Sequence, residues 1–98
     1  MKIKTKSGFE CNINERRLKD WRYVKAAAKI NKNENEADVL EAVTFAIPFI
    51  LGDDGEAALL AHVEENGAVD AEKIMKEFLE VTQIAGEKVK KSQSSLSS

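Results

Sequence analysis

The chain has 98 residues, enough for one domain, of which 43% are hydrophobic and 33% charged. A single Cys and a single His exclude an internal disulfide framework and the common Cys- or His-rich zinc sites. Charge is polarised along the chain: residues 1–32 hold ten Lys/Arg against Glu10, Glu15 and Asp20, residues 33–72 hold eleven acids and no Lys or Arg, and residues 73–98 carry +2.

The first thirteen residues alternate with period two, Ile3 and Thr5 and then Phe9, Cys11 and Ile13, as two strands do. A two-residue loop at Ser7-Gly8 would mix polar and apolar side chains on each face. A three-residue loop, Lys6-Ser7-Gly8, pairs Thr5 with Phe9 and Ile3 with Cys11 and gathers the apolar residues on one face. Gly8 then takes the left-handed position of a bulged hairpin. Such a hairpin is marginal alone, so its apolar face must lie on helices.

Asn14 is placed to cap a first helix over about 15–30, with Leu18, Trp21, Val24 and Ala28 as its main stripe and Tyr23, Ala27 and Ile30 as a shallower one. Asn35 caps a second helix over about 36–51. Val39, Leu40, Val43, Ala46, Ile47 and Ile50 take its core spacing, while Ala42, Phe45 and Phe49 carry the apolar surface almost around the axis. Pro48 is expected to kink that helix or end it early. Gly52-Asp53 is the next break, and Asp53-Asp54-Gly55-Glu56 reads as a capping box for a third helix carrying Leu59, Leu60 and Val63 and closed by Asn66-Gly67. Asp70 caps a fourth, striped by Ile74, Phe78, Val81, Ala85 and Val89. The expected fold is mainly α, an N-terminal hairpin on a small bundle of about four helices. It forms one domain over 1–91, with the hairpin over 1–13 and a disordered Ser-rich tail over 92–98.

No constellation for catalysis stands out. His62 has only Glu64 and Glu65 near it in sequence, and Cys11, on the apolar side of the hairpin, reads as a buried structural thiol. Residues 66–74 superficially suggest a calcium loop but lack its Asp-rich opening, and glycines are scattered. Neither enzyme activity nor a cofactor or metal is expected. Arg16, Arg17, Lys19, Arg22, Lys25 and Lys29, with Trp21 and Tyr23 interleaved, could grip phosphates, but the adjacent acidic segment would repel nucleic acid. A solvated or acid-paired helix face is the plainer reading, and Arg16, Arg17, Arg22 and Lys25 could also meet the acidic middle of another copy in weak self-association. No stretch reaches the ~18 uncharged apolar residues of a membrane span, and Met1-Lys2-Ile3-Lys4 lacks the apolar run of a signal peptide, so a cytoplasmic location is expected.

The opening Met1-Lys2-Ile3-Lys4-Thr5-Lys6-Ser7-Gly8-Phe9-Glu10, the segment Leu18-Lys19-Asp20-Trp21 and the second-helix end Leu51-Gly52-Asp53-Asp54 resemble the tail assembly chaperones of long-tailed phages and prophages of Gram-positive hosts. The stretch His62-Val63-Glu64-Glu65-Asn66-Gly67-Ala68-Val69-Asp70, the last amphipathic helix and the Ser-rich tail are similar too. The resemblance covers essentially the whole chain as a pattern of elements; Pro48 departs from it. It implies a non-enzymatic chaperone in the host cytoplasm that binds the tape measure protein, helps to recruit tail tube protein and is absent from the mature virion. The family has no fixed binding motif to transfer. From the residues themselves, Phe45 and Phe49, with Ala42 beside them, are the candidates for a partner-binding patch. The alternative is a small DNA-binding or adaptor protein using the basic first helix.

Overall fold

The computed structural model describes the backbone of residues 1–97 and the side chains of residues 1–90; the expected Ser-rich tail at 92–98 lies outside the fully described residues. Two short antiparallel strands, β1 (Lys2–Lys4) and β2 (Glu10–Asn12), are followed by α1 (Glu15–Leu18), α2 (Trp21–Lys32), α3 (Glu36–Val63) and α4 (Ala71–Ser97). The fold is mainly helical with an N-terminal hairpin, as the patterning indicates.

The hairpin takes the three-residue loop. Ile3 pairs with Cys11, and Thr5 and Phe9 close the ladder through a Thr5 N–H to Phe9 carbonyl bond of 2.9 Å. Gly8 sits at φ 95°, a conformation that costs glycine little. Ile3, Phe9 and Ile13 are buried against α3 and α4, and the buried Thr5 hydroxyl accepts the Phe9 N–H at 3.1 Å. Cys11 is only half-buried; that partial burial still pushes its thiol pKa up. Lys88 Nζ donates to the Lys2 carbonyl at 2.7 Å and the Lys6 N–H to Glu80 at 2.7 Å, lacing the start of β1 and the hairpin loop to α4.

The expected first helix is two. Asn14 caps α1, but Asp20 accepts the Arg22 N–H at 2.8 Å and starts a new helix. The restart turns the helix relative to its sequence stripe. Tyr23, Ala26, Ala27 and Ile30 face inward, whereas Trp21 is 73% exposed and Val24 and Ala28 also face solvent. Apart from Leu18, which packs half-buried against the core from α1, the main stripe expected from sequence is the outer face, and the shallower one is the packed face.

Asn35 caps α3 as expected, accepting from Ala37 and Asp38. The helix runs through Pro48 and breaks instead at Gly52, whose φ of 77° and ψ of 168° divide it into arms 36–51 and 53–63. The break falls at the expected Gly52-Asp53 interruption. Of the apolar residues expected on the second arm, Leu59 is fully buried and Val63 half-buried, whereas Leu60 is exposed. Leu40, expected in the core, is 51% exposed because Val39, Val43 and Ala46 already face inward. The arm ends at Val63, before Asn66-Gly67. Those two residues, both at positive φ, form a tight turn in which Glu65 and Ala68 exchange backbone hydrogen bonds. Asp70 caps α4 by accepting from Glu72 and Lys73. The core joins Ile3, Phe9 and Ile13 to Val43, Ile47, Ile50, Leu59, Ile74, Phe78, Val81 and Ala85.

Candidate functional site

The aromatic and basic residues singled out separately in the sequence meet on one surface between α2 and the first arm of α3. Phe45 and Phe49 lie one turn apart and stack, with ring centroids 5.2 Å apart at 22°. Phe49 is half-buried and Phe45 is 40% exposed. Two guanidinium groups lie over the Phe49 ring, Arg17 at 4.9 Å and Arg22 at 5.0 Å from its centroid.

Arg17 also donates to the Phe49 carbonyl at 3.0 Å. That carbonyl belongs to the last turn before the Gly52 break, where helical carbonyls lose their ordinary donors and the negative end of the helix dipole favours a cation. Arg22 is held from its other side by Asp20, which accepts from Nε at 3.1 Å and from Nη2 at 2.9 Å. These hydrogen bonds hold the Asp20 carboxyl at a pKa of about 2, well below the usual carboxylate range.

Beside the rings lies a cleft of about 270 Å³ with Arg22, Lys25 and Lys29 on the α2 side and Glu41 and Phe45 on the α3 side. Ala26 and Ala42 also line it, and both are buried. Ala42 thus belongs to the cleft floor rather than to an open patch. Arg16 does not line this cleft; on α1 its backbone N–H satisfies the Asn14 cap. The exposed Trp21 stands one turn before Lys25.

Among the described residues no direct ion pair joins the basic segment, residues 1–32, to the acidic one, residues 33–72; the pairs formed are Arg22–Asp20 and Lys73–Glu65. Lys25 and Lys29 face the cleft without an ion pair among the described residues.

A second polar cluster was not legible in the sequence because its members lie 55 and 70 positions apart. Ser7 Oγ, at the hairpin tip, is 2.9 Å from His62 Nε2 and 2.7 and 3.0 Å from the Glu77 carboxylate. The geometry is not that of an activated nucleophile, in which the acid orients the imidazole. Here the Ser7 hydroxyl donates its hydrogen bond to the Glu77 carboxylate and not to His62, whose Nε2 faces the serine oxygen. The cluster fastens the hairpin tip to the second arm of α3 and to α4. His62 also packs on Phe9, with ring centroids 5.4 Å apart. Among the described residues no three His, Cys, Asp or Glu side chains gather to hold a metal, and no helix is long and apolar enough to cross a membrane.

Comparison of the chain with family models, with curated proteins and with solved structures found no match.

Proposed function

We propose that the protein is a non-enzymatic assembly chaperone of the phage tail type. It works in the cytoplasm of the bacterial host, binds the helical tape measure protein, supports tail tube assembly and leaves before the virion is complete. The observation that carries this reading is the Phe45–Phe49 stack, half-open to solvent at the edge of a cleft between two helices. A large apolar side chain left in water forgoes roughly 1.5–3 kcal/mol of burial, so an open ring beside a cleft suits a surface that is covered part of the time. An amphipathic helix laid along the cleft would bury its own stripe against Phe45. The resemblance of the whole chain to tail assembly chaperones supports the same partner.

Co-expression tests the proposal. Phe45→Ser removes the exposed ring and leaves the Arg17 contacts to Phe49 in place. The expected result is loss of soluble tape measure protein, with the variant's far-UV circular dichroism and melting unchanged. A folded Phe45→Ser variant that keeps the tape measure protein soluble would falsify the assignment of the surface. The alternative, nucleic-acid binding through the basic face of α2, is favoured by one observation, the exposed Trp21 among Arg22, Lys25 and Lys29. It predicts retardation of DNA that disappears with added salt and with Lys25→Glu.

A further inference from the structure

The cleft between α2 and α3 carries more information about its occupant than an apolar patch alone would. Its floor is small and apolar, Ala26 and Ala42, and one wall is the exposed Phe45 ring. Its α2 wall is cationic, with Arg22, Lys25 and Lys29 spaced three and four residues apart along one side of the helix. Arg22 is engaged by Asp20, whereas Lys25 and Lys29 have no ion pair among the described residues. We propose that this cleft selects an acidic amphipathic helix. One large aliphatic or aromatic side chain of that helix enters beside Phe45, and Asp or Glu residues one turn to either side meet Lys25 and Lys29.

The inference rests on the docking role proposed above and deepens it by naming the chemistry of the segment bound. Two features favour an acidic helix over a nucleic acid. Glu41 stands on the opposite wall, and Asp20 already occupies Arg22; both repel a phosphate backbone but tolerate a partner whose acids approach only the α2 side. The apolar floor has no use in gripping phosphates, and it fits an inserted side chain. Exposed cations around an apolar slot steer an acidic partner and set its register, and the selection is sensitive to salt.

The test uses three dye-labelled peptides of about 18 residues, five helical turns, read by fluorescence anisotropy against the full chain. All carry the same leucine stripe; their flanks are glutamate, glutamine or lysine. The expected order of affinity is glutamate, then glutamine, then lysine. The glutamate peptide should lose about tenfold in affinity between ~50 mM and ~0.5 M salt as the Debye length shortens. Lys25→Glu with Lys29→Glu should abolish its advantage over the glutamine peptide, while Lys76→Glu on α4 should leave it intact. These lysines are exposed, so the variants keep the fold, and their melting curves verify it.

Equal binding of the three peptides, lost in Phe45→Ser, overturns the charge selection and leaves the docking role standing. Absence of binding by all three overturns the acidic helix as occupant, and the co-expression test decides the docking role separately. Displacement of the glutamate peptide by an oligothymidylate at equal phosphate and carboxylate concentration overturns it in favour of nucleic acid. Dimerisation in sedimentation that Lys25→Glu abolishes, with no peptide binding, overturns it in favour of the acidic segment of a second copy.

Discussion

Asp20 holds the junction between α1 and α2 in two ways, as the cap of α2 and as the carboxylate that fixes Arg22 over Phe49. Its pKa of about 2 in the folded chain lies below the ordinary value of 3.8. A depressed folded-state value means that the ionised carboxylate stabilises the fold above the unfolded pKa and loses that contribution as pH falls through the folded one. Partial exposure screens the effect, so it is modest. Asp20→Ala should lower the melting temperature at neutral pH more than Asp20→Asn, which keeps an oxygen able to cap Arg22. The gap between wild type and Asp20→Asn should close as pH is lowered from ~5 towards ~2. Thermal melts followed by circular dichroism across that range check both statements; a gap that stays constant would mean that the charge contributes nothing. Phe78 belongs to a different class. It is fully buried where the hairpin and the helices meet, so Phe78→Ala should cost ~3–5 kcal/mol in denaturant unfolding.

Glycine has opposite effects in the two long helices. Gly52 breaks α3 in a region of φ and ψ that is essentially closed to side chains, yet a Cβ there would meet nothing within 4 Å. The cost of Gly52→Ala is therefore one of backbone strain alone, ~1–3 kcal/mol. Gly86 lies exposed inside α4 with equally open space around it, so Gly86→Ala should stabilise by ~0.5–1 kcal/mol. Equilibrium denaturation of the two variants should move in opposite directions. These elements also show what the sequence makes legible. The hairpin register was, because only one loop length puts Ile3, Phe9 and Ile13 on a common face. The caps at Asn35 and Asp70 were too, since side-chain oxygens at those positions act locally. The division at Asp20 was not, because a helix with one continuous apolar period and two helices joined at a cap have the same composition. The Gly52-Asp53 break was legible, since Gly followed by Asp punctuates a helix, but the phase of the arm after it was not, so Leu59 and Leu60 could not be told apart. Successive helical residues point about 100° apart, so the geometry of the break decides which of the two faces the core.

The docking surface shows the same limit over longer distances. Phe45 and Phe49 were legible as surplus apolar residues, and Arg17, Arg22 and Lys25 as surplus cations, but their meeting depends on how α2 packs along α3. No local pattern encodes that packing, and the Ser7–His62–Glu77 cluster was invisible for the same reason. What holds these distant pieces in register is the hairpin. It buries Ile3, Phe9 and Ile13 against α3 and α4, and its tip and first strand are hydrogen-bonded to Glu77, Glu80 and Lys88. In a chain of 98 residues there is little other core to replace that contribution. The hairpin and the helices should therefore unfold as one cooperative unit. Ile3→Ala provides the test, since Ile3 is fully buried and its truncation should cost ~2–5 kcal/mol. The far-UV helical signal comes from residues far from position 3 in sequence. If the domain is one unit, that signal should melt at a clearly lower temperature in Ile3→Ala, in a single transition that coincides with the one seen by tyrosine absorbance from Tyr23. A helical transition that stays at the wild-type temperature would show that the hairpin detaches independently, and the core drawn through it would have to be divided in two.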